Sequence, residues 1–313
     1  LKVIHRHEGK FVQPHQKEYW MGPCRYMVFP EENDNIDMHL GMVVTNEGLD
    51  PNKINMHIDF EMPNMWLNPN SRRIVEGREQ AFDKLYSINP DIVKSRNEIL
   101  GEEKWEYTWF PVNEKDIATD FEKEYDIFLA CIWSGTRLMN EILRPIVKKY
   151  SDRYCGVHAK GDGRNRLSGE VDYYDKLKLN AKSKITLGYN HQSMMSKYIP
   201  NARQLESEGI CSLYRDDTFG EPHYSHHKSR IIDGFLGKSV VMVFKDGQNI
   251  IEDFWEEDKH FLYYTSYNDL DEKVSYVLNN YSEFDNLRNE AFEFTKKNYT
   301  TTAWYDKFIR GKY

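Results

Sequence analysis

Residues 229–244, SRIIDGFLGKSVVMVF, decide how the rest of the chain is read. Ile231, Ile232, Phe235 and Leu236 fall at the spacing of one helical face. Gly237 then reads as a helix stop, with a left-handed cap expected at that residue. Residues 239–244 form an unbroken apolar, β-branched run, the pattern of a strand covered on both faces. Arg230 and Asp233 stand three apart and so share one side of the helix. In an open α/β sheet, that side borders the crevice where ligands bind.

Outward from this unit the same alternation repeats. Upstream, 126–133 reads as an apolar strand, 136–149 as a helix bent near Pro145, and 154–158 as a strand. KGDGRNR (160–166) is a glycine-bearing polar loop, 173–183 a helix and 184–189 a strand. Downstream come a short helix at 249–254, a strand at 260–265, and helices at 270–278 and 284–297. Ser282 and Asp285 supply a capping signal for the second of these, and 300–308 is amphipathic. Strand and helix in alternation predict a mostly parallel sheet with right-handed crossovers. The polar stretch 191–227 lacks periodicity, so a short helix near 192–198 or a lid is expected there.

The first 125 residues are less regular. Residues 54–60 are the clearest strand, with Asp59 and Glu61 at its C-terminal end and Pro63 stopping it. Further strands are expected at 26–29, 38–45, 92–93 and 105–110, and a helix at 79–86. Polar residues 113–124 read as a linker. The 313 residues suit two domains of about 120 to 190 residues each.

A net charge of −8 argues against a broad nucleic-acid footprint, which requires a basic surface. It leaves room for a local anion site, which needs only a few Arg or Lys side chains. The four cysteines, Cys24, Cys131, Cys155 and Cys211, form no CxxC pair and no disulfide framework. A reducing, cytoplasmic setting is expected. No apolar run reaches membrane-spanning length, and the first residues lack a signal core. The chain opens on Leu1 without an initiator Met, which leaves the completeness of the first domain open.

Residues 228–308 resemble the C-terminal half of GT-B glycosyltransferases, with echoes of spore-maturation-type glycosyltransferases and the phage DNA β-glucosyltransferase. The shared pattern is Arg230, Asp233 and Gly237 before a buried strand, then the strand at 261–264 and the pair Asp269–Leu270. LACIWSGTRLMNEIL (129–143) resembles the first strand and loop of the same half, where small residues and arginines meet a diphosphate. Ser134, Gly135, Thr136 and Arg137 occupy that place. HIDFEMP (57–63) resembles the strand end carrying the acceptor-activating aspartate of the phage enzyme, with Asp59 as the match. Gly169–Val171 precedes a helix, like the loop whose backbone reads the nucleobase. Two departures stand out. The ribose-holding glutamate of the family is Asp233 here, and its partner glutamate is missing, with Ser225 eight residues earlier.

The resemblance implies two Rossmann-like α/β domains facing a cleft, with a C-terminal helix crossing back to the first. Residues 1–124 would form the acceptor-side domain, 125–298 the nucleotide-sugar donor domain, and 299–313 the returning segment. It implies transfer of a sugar, hexosyltransferase-like, from a UDP- or GDP-sugar to a hydroxyl of a glycan, protein or lipid. Asp59, with Glu61 as runner-up, would be the base for an inverting displacement. Arg137 and Arg230 would steady the leaving diphosphate. Ser134, Gly135, Lys160, Gly169 and Val171 would line the donor site, and Asp233 would hold the ribose. No tightly bound cofactor is expected, and no motif requires a divalent metal. His223, His226 and His227 lack a metal-site frame. Two alternatives stay open: transfer to modified DNA bases, and a nucleotide-sugar-binding relative without catalysis.

Overall fold

The computed structural model describes residues 2–7, 10–11, 28–30, 33–41, 49–59, 71–114, 117, 121–131, 136–158, 173–193, 199–207, 214–215 and 222–312. In chain order these begin with strands β1 (Lys2–His7), β2 (Lys10–Phe11), β3 (Ile36–Gly41) and β4 (Ile54–Asp59). Helix α1 (Ser71–Ala81), β5 (Lys84–Ser87), α2 (Pro90–Leu100) and β6 (Trp105–Tyr107) follow. Next are β7 (Tyr125–Cys131), a π-helical segment (Leu138–Leu143) running into α3 (Arg144–Lys149), β8 (Tyr154–His158), α4 (Tyr173–Ala181) and β9 (Ser183–Gly188). The stretch after Asn190 holds β10 (His191–Ser193), α5 (Ile199–Ser207), β11 (Tyr214–Arg215) and β12 (Pro222–Ser225). The remainder is α6 (Ser229–Leu236), β13 (Val240–Phe244), β14 (Leu262–Tyr264), α7 (Tyr267–Asn279), α8 (Asp285–Asn298) and α9 (Thr301–Phe308). The loop expected at 160–166, part of the strand expected at 26–29, Cys24 and Cys211 lie outside the described residues.

The chain divides into two compact units, each built from separate pieces. The first comprises Leu1–Val112, His191–His227 and Trp304–Tyr313; the second comprises Asn113–Asn190 and Lys228–Ala303. Residues 191–227, expected as a polar insertion, form a three-stranded antiparallel sheet ordered β10-β12-β11, with its helix at 199–207.

The first unit has a six-stranded sheet ordered β2-β1-β3-β4-β5-β6, parallel except for the β1–β2 hairpin. Ile36, Met38, Leu40, Met56 and Ile58 are buried on it, but so are His39, Asn55, His57 and Asp59. Both faces of β4 are therefore covered, and the polar face needs internal partners. His39 and Asn55 are 3.1 Å apart through Nε2 and Oδ1, and His57 Nδ1 lies 2.9 Å from the His39 carbonyl. Phe82 packs against both imidazoles.

Two expectations for this unit fail for local reasons. The strand expected at 92–93 lies inside α2. Asn89 caps that helix by accepting from Ile92 N, Pro90 opens it, and Gly101 closes it with φ 68°. The helix expected at 79–86 ends at Ala81, and 84–87 is β5. The C-terminal α9 carries Trp304 into this unit. Its indole donates to Thr108 Oγ1 at 2.7 Å and meets the Tyr86 ring at 4.9 Å.

The second unit has a five-stranded parallel sheet ordered β14-β13-β9-β7-β8. In chain order this is 5-4-3-1-2, so direction reverses between β7 and β9. The bend foreseen near Pro145 is the π-to-α junction, where Arg144 N bonds back to Met139 O. A wider turn there accommodates the missing proline N–H.

The stretch 229–244 is α6 followed by β13, as its periodicity indicates. Its glycine reading needs correction. Gly237 has φ −85°, and the left-handed residue is Lys238, with φ 51°. Ser239 N bonds Gly234 O and Lys238 N bonds Phe235 O, the paired contacts of a Schellman end. Gly237 is needed for proximity instead: a Cβ there would lie 3.1 Å from the Ala181 backbone. At Gly234, a Cβ would come within 2.8 Å of Val241, so this glycine lets α6 lie close on the sheet.

Lys123 closes the base of this unit. Its ammonium donates to Ala181 O at 2.7 Å and Gly237 O at 2.9 Å, the carbonyl ends of α4 and α6. Burial, aided by the charges of Arg288 and Lys238, lowers its pKa to about 7. An unfolded lysine titrates near about 10.4, so between these values the unfolded chain keeps a proton that the folded chain releases. Stability from this residue therefore rises with pH across that window, and the cost of the buried charge is fully present below it. Relative to Lys123→Met, the wild type should gain up to ~1.4 kcal/mol per pH unit above neutrality and stay level below it. Urea unfolding at matched ionic strength from pH 5.5 to 9.5 measures this; two parallel stability curves would refute it.

Candidate donor-binding site

The C-terminal ends of β7 and β9 flank the reversal of strand order in the second unit, the position where open α/β sheets bind ligands. Cys131 ends β7, Tyr189 and Asn190 follow β9, and Tyr264 ends β14. Tyr264 fixes its hydroxyl on Gly188 O at 3.0 Å, and Lys228 N donates to Asn190 Oδ1 at 3.3 Å. Helix α6 therefore begins tied to the strand edge.

Arg230, in the first turn of α6, stacks over the Tyr189 ring at 4.6 Å. Its Nη1 is buried and bonds nothing among the described residues. Burial alone lowers a guanidinium's pKa, but Tyr189, Cys131 and Asp233 raise this one by more. Arg230 is thus a cation held at the strand edge. Burial also raises the Tyr189 phenol, with Arg230 opposing. The Cys131 thiol is pushed up to about 12 by burial, against Arg230 and Arg144, and is no nucleophile.

Asp233, one turn further, has a fully buried side chain whose Oδ2 lies 2.6 Å from Lys176 Nζ on α4. Sequence alone singles out neither Lys176 nor Tyr189. Tyr189 is marked only by falling just after a buried strand, and Lys176 by nothing local. Arg137, expected beside Arg230, is exposed and paired with Glu141 at 2.8 Å. Ser134, Gly135, Lys160, Gly169 and Val171 lie outside the described residues, as does Glu61.

In the first unit, Asp59 does end β4, as the sequence suggests, but its side chain has no exposed surface and is ion-paired to the equally buried Arg78. A carboxylate so enclosed does not reach an acceptor hydroxyl in this arrangement. The edge of this sheet instead gathers other groups. Asn89 Nδ2 donates to Ser225 O at 2.6 Å, and Tyr107 Oη lies 2.6 Å from His227 Nε2 with the two rings stacked. These contacts pin 222–227 to the sheet. Among the described residues, no group of three or more His, Cys, Asp or Glu side chains is arranged to hold a metal ion. Nor is any described helix long and apolar enough to cross a membrane.

The family model described as glycosyl transferase-like matches residues 137–310. This chain belongs to that family. Comparison with curated protein sequences finds no match. Among solved structures it is similar to a mutant of S. aureus TarM in complex with Fondaparinux, alpha-GlcNAc-glycerol and UDP. The TM-score is 0.54 at 13% identity, over 87% of this chain and 54% of that one. HepE of Anabaena, in complex with UDP and glucose, gives 0.49 at 7% identity, over 85% of this chain and 74% of that one. At such identities the likeness is one of fold, two parallel-sheet α/β units in the GT-B class. The chain spans about half the length of TarM, 54%.

Proposed function

We propose that this protein transfers a sugar from a nucleotide-sugar donor to a hydroxyl acceptor, and that the donor diphosphate binds at Arg230. The observation that carries this is the Arg230 guanidinium at the strand-order reversal, stacked on Tyr189, with a buried Nη1 bonded to nothing among the described residues. A buried N–H without an acceptor is costly, and a leaving diphosphate gains charge as the glycosidic bond breaks. Membership in a glycosyl transferase-like family supports a nucleotide-sugar donor. A uridine diphosphate sugar is the first choice, because the TarM structure holds UDP. The acceptor is proposed as a hydroxyl of a glycan, protein or lipid rather than DNA, in keeping with a net charge of −8.

Inversion with Asp59 as base requires that carboxylate to leave Arg78. The stereochemistry of the product, read by nuclear magnetic resonance, decides whether a single displacement operates at all.

Thermal unfolding of the full chain with a panel of UDP-, GDP- and ADP-sugars tests the donor reading. A ligand at 100 times its Kd adds about 2.7 kcal/mol to the folded state. A clear rise in midpoint with one nucleotide series is expected, along with release of that nucleoside diphosphate. No rise with any of them sinks the proposal.

A further inference from the structure

Asp233 stands where the resemblance expects a ribose-binding acid. To grip two ribose hydroxyls, a carboxylate must present both oxygens to the ligand. The Asp233 side chain presents no surface, and Lys176 Nζ sits 2.6 Å from Oδ2. Lys176 keeps 15% of its side chain exposed while its head group is bound. The carboxylate also adds to the field at Arg230, one turn earlier on the same helix. Lys176, Asp233 and Arg230 thus form a row of cation, anion and cation. The row carries one net positive charge, at the end of the sheet where α4 and α6 both begin. Aspartate is a methylene shorter than glutamate, which keeps its oxygens back near the helix, within reach of a neighbouring lysine.

We infer that Asp233 holds Lys176 rather than the ribose, and that Lys176 is the second cation for the donor's diphosphate. This rests on the donor reading given above. Asp233 is then a positioning residue, and the site distinguishes ligands by phosphate charge through Lys176 and Arg230. A diphosphate has oxygens enough for both cations, whereas a monophosphate engages one.

Calorimetric titration of the full chain with UDP, UMP and 2′-deoxy-UDP tests this. Lys176→Met should weaken UDP about 10-fold or more and UMP less than about 3-fold, the loss of one charge-assisted contact. Asp233→Asn should weaken UDP similarly while leaving the ratio of UDP to 2′-deoxy-UDP affinity within about 2-fold of wild type. Asp233→Glu, which keeps a charge for Lys176, should recover most of the UDP affinity. The double variant should bind no worse than Lys176→Met alone, because the two residues act as one unit. Thermal unfolding of each variant separates loss of fold from loss of binding; should Asp233→Asn fail to fold, Lys176→Met and Asp233→Glu still decide. A purely structural lysine would not change the preference for UDP over UMP. UDP affinity unaltered in Lys176→Met, or ribose preference erased by Asp233→Asn, overturns the inference. A wild type that binds none of the three nucleotides overturns the donor reading itself, and this inference with it.

Discussion

Arg78→Met is expected to destabilise the protein by about 3–5 kcal/mol, seen as a lower urea midpoint with the slope unchanged. Neither Arg78 nor Asp59 exposes any side-chain surface. Burial pulls the Arg78 pKa down, and the charge and hydrogen bond of Asp59 offset that only in part. Removing the cation strips a fully buried carboxylate of its ion-pair partner, which explains the size of the effect. The double variant Asp59→Leu/Arg78→Met should recover most of the loss, since an apolar pair of similar volume bears no such penalty. A double variant as unstable as Arg78→Met would show that packing, not charge, dominates. Activity adds an independent reading. If Asp59→Asn folds like the wild type yet loses turnover while still binding donor, the pair must open during the reaction.

Arg230→Met should weaken donor binding far more than it weakens the fold. Affinity for UDP should fall by a factor of about 30 or more, equivalent to ~2 kcal/mol or above for a buried, charge-assisted contact. Without ligand, the variant should lose stability only modestly, through the lost stacking on Tyr189 and the lost attraction to Asp233. Titration calorimetry and urea unfolding on the same preparation check both halves. Arg230→Lys should rescue little, since an ammonium neither stacks on Tyr189 as a plane nor offers a fork to phosphate. If Arg230→Met binds UDP like the wild type, the donor site lies elsewhere. If it loses both binding and several kcal/mol of stability, Arg230 is a structural residue.

How far the sequence is legible depends on the range of the interactions that fix each feature. The helix and strand of 229–244 are local, written in apolar period, and both form. The alternation after 126 yields the parallel sheet of the second unit for the same reason. Helix α2 is equally local, with Asn89, Pro90 and Gly101 as its signals, but the β-branched pair Ile92–Val93 draws the reading to a strand. Gly237 misleads because close approach to Ala181, more than fifty residues earlier, and not its own φ requires a glycine there. Asp59 sits at a strand end as its sequence context indicates, yet its partner Arg78 lies 19 residues on and is met only through the fold. The tie between Lys176 and Asp233 spans two helices and has no sequence signature. Stretch 191–227 shows no period because its short strands pair with one another, and the Ser225 carbonyl and His227 ring dock on the first unit.

The first unit is not finished by the first part of the chain. Trp304, fully buried, seats its indole against Thr108 and Tyr86, and Phe308 closes over Trp109. During translation, the early sheet must wait on the ribosome, its aromatic side chains uncovered, until Trp304 and Phe308 emerge. Contacts spanning nearly two hundred positions are slow to close. That interval is thus the stage most open to aggregation and chaperone capture, and cutting the chain before Trp304 would make it permanent.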